Sequence, residues 1–181
     1  MNESPLIWIV TGVSGSGKTV IGRLLAQKLE CDFLEGDRRH PLSNIHKMLD
    51  KQPLDDEDRR PWLLEIERDL QRAIDRHRET VITCSALKAA YRKQLTALGR
   101  VQLVWLDVPK LELKRRLKAR PDHFMTEEML DSQLAAFEAI SAAEQIVTID
   151  LSNPLTPDRI ISKLTQEFPS INTPWWQRCA E

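Results

Sequence analysis

Two kinds of apolar run alternate along this chain of 181 residues. Residues 6–11 form a compact apolar run that ends in glycine, the pattern of a fully buried strand. Residues 20–29 then space Ile21, Leu24, Leu25 and Leu29 at helical intervals. Residues 32–37 predict a short second strand, and Pro41 and Ser43 open a small helix through Leu49. The acids at 55–58 suit the start of a longer helix that reaches about His77, with Pro61 tolerable only near its first turn. Residues 80–84, rich in β-branched side chains, predict a third strand, followed by a helix over 89–98. A fourth strand over 101–108 leads to a basic helix over 110–119, stopped by Pro121. A long helix is expected over 127–144, with Met129, Leu130, Leu134 and Phe137 on its apolar face. A fifth strand over 146–151 and a last helix over 157–168 complete the series. Strands that alternate with helices imply an α/β three-layer sandwich, a five-stranded mostly parallel sheet covered on both faces. Residues 1–168 read as one domain, and 169–181 as a tail, with Trp175 and Trp176, whose role the pattern does not define.

Composition narrows the class. Hydrophobic residues make up 41% and charged residues 29%, and the formal net charge is -1. That balance gives no electrostatic footprint for nucleic acid or an anionic membrane. No run approaches the length of a membrane span, and the first residues lack the basic start of a signal peptide. The three cysteines, Cys31, Cys84 and Cys179, are too few and too scattered for a disulfide framework. The expectation is a soluble cytoplasmic protein.

The first chemical signal lies between the first strand and the first helix. Gly12-Val13-Ser14-Gly15-Ser16-Gly17-Lys18-Thr19 matches the phosphate-loop pattern at every fixed position. Polyphosphate oxygens must be met by backbone N–H groups, and glycines allow the close approach and the dihedrals. The following helix points its N-terminal dipole at the anion. Lys18 is expected to bridge the β- and γ-phosphates of ATP, and Thr19 to place its hydroxyl on Mg²⁺. Only 6 glycines occur in the chain, and three of them lie in this loop, which argues against an accidental glycine-rich turn.

A phosphate loop by itself serves GTPases, ATPases and kinases alike. The Asn-Lys-x-Asp motif of guanine recognition is missing. Asp107, at the end of the fourth strand, resembles a Walker B acid by pattern. A kinase topology would instead put the third strand beside the loop, which makes Asp107 a strand-end cap. A kinase also needs a group that orients or deprotonates the acceptor hydroxyl. Asp37 ends the second strand, and strand C-terminal ends face the site in sheets of this kind. It either meets the acceptor, the Mg²⁺ shell or both, or caps the turn into 38–41.

Further along, several blocks stand in register: Gly36-Asp37-x-x-His40-Pro41, Asn44-Ile45-x-Lys47-Met48 and Pro53-Leu54-x-Asp56-x-Asp58-Arg59-x-Pro61-Trp62-Leu63. Cys84-Ser85-Ala86-Leu87-Lys88-x-x-Tyr91-Arg92 and His123-Phe124-Met125 follow. Together with the phosphate loop, this string resembles the gluconokinase family, over roughly residues 6 to 165. The resemblance implies a P-loop kinase fold with substrate-side helices over about 41–78 and a lid over about 116–126. It implies ATP-dependent phosphorylation of D-gluconate at the 6-hydroxyl, with Asp37 beside that hydroxyl. His40, Lys47, Arg59, Ser85, Lys88 and Arg92 fall in blocks that line the gluconate side of the family's site. A polyhydroxy carboxylate needs cations and polar partners. Arg59 and Arg92 suit the carboxylate; Ser85, His40 and His123 suit the hydroxyls. Alternatives stay open: His40 as a turn cap, Lys47 as a solvated helix residue, Arg59 paired only with its acidic neighbours. Trp62, Tyr91 and Cys84 read as core.

In this class the basic helix leads into a lid that carries arginines to the transferring phosphoryl group and excludes water. Arg116 and Arg120 share a helical face. The charge that closes on ATP is one of these two, with Arg120 grouped with the catalytic residues and Arg116 with the nucleotide-binding ones. Asn153 stands where related kinases hold adenine. Relatives of this family are commonly dimers, which leaves a homodimer open. The chain departs from the family pattern at Arg39, usually apolar, at 50–52, at Asp122, usually glycine, and at 138–141. Those departures keep two other readings in view. One is a kinase of the same fold with a shikimate-like or nucleoside-like acceptor; the other is a nucleotide-binding regulatory protein without chemistry.

Overall fold

The computed structural model describes residues 7–119, 126–153 and 155–173. Its five strands are β1 (Ile7–Thr11), β2 (Asp32–Glu35), β3 (Thr80–Thr83), β4 (Val101–Asp107) and β5 (Val147–Asp150). They form one sheet of order β2-β3-β1-β4-β5, and every pairing is parallel. The expected architecture is the observed one. Ile7 stands opposite both Thr80 and Val101, so the central strand is bonded on both edges.

The same strand is buried on both faces, which explains its unbroken apolar sequence. Successive strand side chains point to opposite faces. Trp8 and Val10 join one core with Ile21, Leu25 and Leu29 of α1 (Lys18–Leu29) and Ile160 and Leu164 of α7 (Pro157–Glu167). α5 (Lys110–Lys118) and α6 (Glu127–Ala136) add Leu113, Leu117, Met129 and Leu130 to that core. Ile7 and Ile9 join the other, with Trp62, Ile66 and Leu70 of α3 (Asp56–Asp75) and Leu95 of α4 (Ala89–Thr96). Each such aliphatic side chain contributes about 1.5–3 kcal/mol on burial. No described helix is long and apolar enough to cross a membrane.

Four details differ from the sequence pattern. β2 stops at Glu35, and Gly36–Arg39 form a 3-10 turn rather than more strand. The cause is a close approach: a Cβ on Gly36 would lie 2.0 Å from the Thr83 carbonyl oxygen. The Gly36 N–H meets Thr83 Oγ1 at 3.3 Å, which fixes the end of β2 against β3. Secondly, α6 ends at Ala136, well short of 144. Phe137 leaves the helix to stack on Trp105 at 4.6 Å, and the Glu138 N–H donates to the Leu87 carbonyl at 2.9 Å. These tertiary partners outweigh the helical period, and a 3-10 turn over Ala142–Glu144 follows. Thirdly, Pro61 is the sixth residue of α3, beyond the first turn. It and Glu57 are exposed, so the carbonyl it fails to bond meets water. Fourthly, β3 flanks β1 as a kinase topology requires, but β4 flanks it too, so strand order alone does not separate Asp107 from the loop. Asp107 ends β4, and its carbonyl accepts from the Leu151 N–H at 2.8 Å.

The helix α2 (Leu42–Leu49) is tied to the capped start of α3 by Asn44 and Lys47 on Asp58, and α3 packs on the turn that follows β2. Asp55 accepts from the Asp58 N–H while Asp58 accepts from the Asp55 N–H, a capping box that fixes where α3 begins. Of the tail, Ile171 is buried against the α1 and α7 core, whereas Trp175 and Trp176 lie outside the described residues.

Gly36→Ala tests the close approach. The added methyl meets a backbone oxygen that cannot rotate away, so stability should fall by about 2–3 kcal/mol, read by urea or thermal melts.

Candidate active site

Three strand ends and the first turn of α1 meet along one edge of the sheet. From β1 comes the loop over 12–19. Gly12 has φ 143°, and a Cβ there would lie 2.6 Å from Ser16 Oγ and 3.2 Å from the Leu106 carbonyl, so only glycine fits this turn. Lys18 Nζ donates to the Val13 carbonyl at 3.1 Å across the loop. Leu113 and Leu117 of α5 pack against Gly15, and Arg116 from the same helix reaches the loop's carbonyls. Its Nη1 lies 3.2 Å from Ser16 O and 3.4 Å from Gly15 O. Glu112 accepts from Arg116 Nε at 2.8 Å and from Arg115 Nε at 2.7 Å. These two arginines, Arg115 foremost, hold its carboxyl down at about 2.

A cleft of about 220 Å³ opens beside the loop. Ser14 and Lys18 form its loop wall, Asp37 and His40 its β2 wall, Ser85 its β3 wall, and Arg59 and Trp62 its α3 wall. Ile45, Met48 and Leu49 of α2 close the outer side. Lys18 and Asp37 thus share one cavity, a cation and an acid together. Cys84, between them at the end of β3, is fully buried, and burial pushes its thiol up to about 12, so it is no nucleophile.

His40 is held as a neutral donor. Its ring stacks on Trp62 at 4.7 Å, and Trp62 Nε1 donates to the Gly36 carbonyl at 2.8 Å. Asn44 Nδ2 donates to the Asp58 carbonyl at 2.6 Å and faces His40 Nδ1 at 3.2 Å. Nδ1 is therefore the acceptor, and the ring proton sits on Nε2. Burial lowers the imidazole to about 4; Asp37 pulls it up and Arg59 pulls it further down.

The geometry has a counterpart in known proteins. A family model described as an AAA domain matches residues 7–140. The chain is 38% identical to a gluconokinase of Gluconobacter oxydans (strain 621H), covering 93% of this chain and 94% of that one. A crystal structure of a gluconokinase from Sinorhizobium meliloti 1021 superposes with a TM-score of 0.76 at 32% identity, covering 92% and 99%. An unliganded sugar kinase from Janibacter sp. HTCC2649 superposes with a TM-score of 0.83 at 36% identity, covering 94% and 99%. The chain belongs to the gluconokinase family of P-loop kinases.

Set against that family's pattern, the site residues divide. Ser14, Lys18, Asp37, His40, Arg59 and Ser85 come together in the cleft. Arg59 stands 3.6 Å from Asp56, whose carboxylate is held more closely by Lys88 Nζ at 2.6 Å and Tyr91 Oη at 2.5 Å. Lys88 is thus bound up with Asp56 on an adjoining groove, away from the main cleft. Lys47 is half-exposed and paired with Asp58 at 2.6 and 2.8 Å. Arg92 requires a correction. It is 1% exposed, with Nε and Nη2 on Glu144 at 2.6 and 3.0 Å and Nη1 on the Leu87 carbonyl at 2.9 Å. Its five donors are taken up in fixing α4 to the segment after α6, and no part of it lines the cleft. Asn153 lies exposed in the bend after β5. Arg120 and His123 lie outside the described residues, as does Asp122.

The cleft also has a wall that the sequence reading omitted, Met129, Ser132 and Gln133 of α6. Their i, i+3, i+4 spacing puts them on one helical face. The sequence pattern gives that helix an apolar face of Met129, Leu130, Leu134 and Phe137, and the polar pair Ser132-Gln133 between them is the signal for a second use. Gln133 Oε1 accepts from the Ser14 N–H at 2.8 Å.

Two outcomes follow. Arg92→Met should unfold the protein about 3 kcal/mol more readily in denaturant melts, with the acceptor KM of the folded fraction unchanged. For His40, the unfolded ring binds protons below about 6.5 and the folded ring only below about 4. Between those values the unfolded state holds more protons, so acidification removes stability. His40→Gln should flatten the fall of Tm from pH 6.5 to pH 4 relative to wild type.

Proposed function

We infer that this chain transfers the γ-phosphoryl group of ATP to the 6-hydroxyl of D-gluconate. The observation that carries the reading is Lys18 and Asp37 lining one small cleft, in a chain that aligns with gluconokinases over most of its length. The cleft's size suits a small acceptor rather than a macromolecule.

The loop fits a polyphosphate. Ser16 Oγ is buried there with no hydrogen-bond partner in the protein, an orphan that a phosphate oxygen would satisfy. Thr19, in the first turn of α1, offers a hydroxyl for Mg²⁺. Among the described residues no group of three or more His, Cys, Asp or Glu is placed to hold a metal ion. The residues present suit Mg²⁺, which is commonly held by one or two protein oxygens together with phosphates and waters. When bound, that ion neutralises charge on the β- and γ-phosphates.

The chain's own groups would act as follows. Lys18 exchanges its contact with the Val13 carbonyl for the β- and γ-phosphate oxygens. Asp37 takes the proton of the acceptor hydroxyl as that oxygen bonds the γ-phosphorus and the bond from that phosphorus to the ADP oxygen breaks. Arg116 adds positive charge beside the loop, and Arg59 provides the cation for the gluconate carboxylate. His40 Nε2 and the Ser85 hydroxyl hold substrate hydroxyls. Their fixed orientation matters more than their strength, because positioning removes most of the entropic barrier to phosphoryl transfer.

The direct test is a coupled assay for 6-phosphogluconate with ATP, Mg²⁺ and gluconate. Turnover should be clear in the wild type and lost in Lys18→Ala. Asp37→Asn should lower kcat by about 10²–10⁴-fold with ATP binding retained. A wild type no faster than Lys18→Ala, or activity on a shikimate- or nucleoside-type acceptor instead, would overturn the assignment.

A further inference from the structure

We propose that Gln133 is a positioning residue that ties the phosphate loop to the acceptor, taking the Ser14 N–H with its carbonyl and giving its amide N–H groups to an acceptor hydroxyl. The proposal rests on the kinase reading above and adds a group to it.

The bond between Ser14 and Gln133 joins residues 119 positions apart and is 2.8 Å long. Its donor is a backbone N–H, so the atom it meets must be an oxygen. That fixes the orientation of the carboxamide: Oε1 lies on the loop, and Nε2 is the other end. Gln133 lines the acceptor cleft together with Lys18, Asp37 and Ser85. Nε2 has two protons to donate and no hydrogen-bond partner in the protein among the described residues. A polyhydroxy acceptor supplies the oxygen atoms that such a donor requires. Ser132, the neighbour on the same face, lines the same cavity.

The arrangement does something that a side chain fixed only to the acceptor side cannot do. Ser14 lies in the loop that cradles the phosphates, four residues before Lys18. A group bonded at one end to that loop and at the other to the acceptor sets the distance between the two substrates. In-line transfer is sensitive to that distance, since an ångström of misplacement costs on the order of 10²-fold. The neutral amide also suits the position. A carboxylate there would keep the bond from Ser14 but would repel the phosphates and the acceptor's own carboxylate.

The test compares Gln133→Met, which loses both ends, with Gln133→Glu, which keeps the bond from Ser14 and loses the donor. Steady-state KM for gluconate, KM for ATP and kcat are measured for each, with Tm as a check on folding. Gln133→Met should raise the KM for gluconate by about three- to tenfold, the effect of one hydrogen bond to a neutral group, and Gln133→Glu by at least as much, because charge repulsion adds to the lost donor. Gln133→Met should lower kcat as well. A deoxy-gluconate lacking the hydroxyl that Gln133 meets should show the same KM with wild type and Gln133→Met, an insensitivity that a purely structural role would not produce. Wild-type KM for gluconate in Gln133→Met, or effects confined to the KM for ATP, would overturn the proposal. If wild type turns over a different acceptor, the substrate reading fails while the same comparison with that acceptor still decides the role of Gln133.

Discussion

The contact between Gly36 and the Thr83 carbonyl sets the geometry of everything that follows it. With no Cβ, the backbone at the end of β2 lies directly against β3. The chain then turns at once into the 3-10 segment that carries Asp37. The Gly36 carbonyl remains available to Trp62 Nε1, which anchors α3 over the same corner. Trp62 in turn supports the ring of His40. One missing side chain therefore brings together the acid, the neutral imidazole and the helix that bears Arg59. Since β3 pairs with β1, the same contact ties the acceptor side to the strand from which the phosphate loop springs.

Charge is distributed unequally over that corner. Asp58 is matched by Lys47, and Asp56 by Lys88 with the Tyr91 hydroxyl. These exposed pairs stabilise little in themselves. Their effect is to remove two carboxylates from competition for Arg59, whose nearest acid stands at 3.6 Å. The buried Arg92–Glu144 pair is a different case, since either charge left alone would be costly there. It joins α4 to the chain beyond α6, and Glu138 from that same stretch caps the first N–H of α4.

Legibility in the sequence followed how far apart the partners lie. The phosphate loop was readable because its eight residues are contiguous and each has a backbone reason for its type. The sheet was readable because buried strands have unbroken apolar runs. The sequence pattern places Asp37 at the end of the second strand; β2 stops two residues earlier, and the 3-10 turn after it is what carries Asp37 to the cleft. Arg92 was assigned to the substrate because its block looked like a binding block; its actual partner, Glu144, is 52 residues away. Gln133 was missed for the same reason, with a partner 119 residues away. The helix expected to run to 144 stopped at Ala136 because stacking on Trp105 and bonds at Leu87 and Ala89 captured the chain. Periodicity records what a segment prefers alone, and such tertiary capture leaves no periodic trace.

Arg39 shows how a departure from the family pattern is absorbed. A cation where an apolar residue is usual, two positions from Asp37, would disturb the acceptor site if it faced the cleft. Its guanidinium is instead turned onto α3, with Nε 2.5 Å from Asp69, and Asp69 also holds Arg72 at 2.8 Å. Arg39 is accordingly absent from the cleft lining, while Asp37 and His40 on either side of it are present. A 3-10 turn brings residues three apart onto one face, so Asp37 and His40 line the cleft together while Arg39, off that face, meets Asp69 of α3. Arg39 therefore fastens the turn to α3 and adds no charge to the cleft lining.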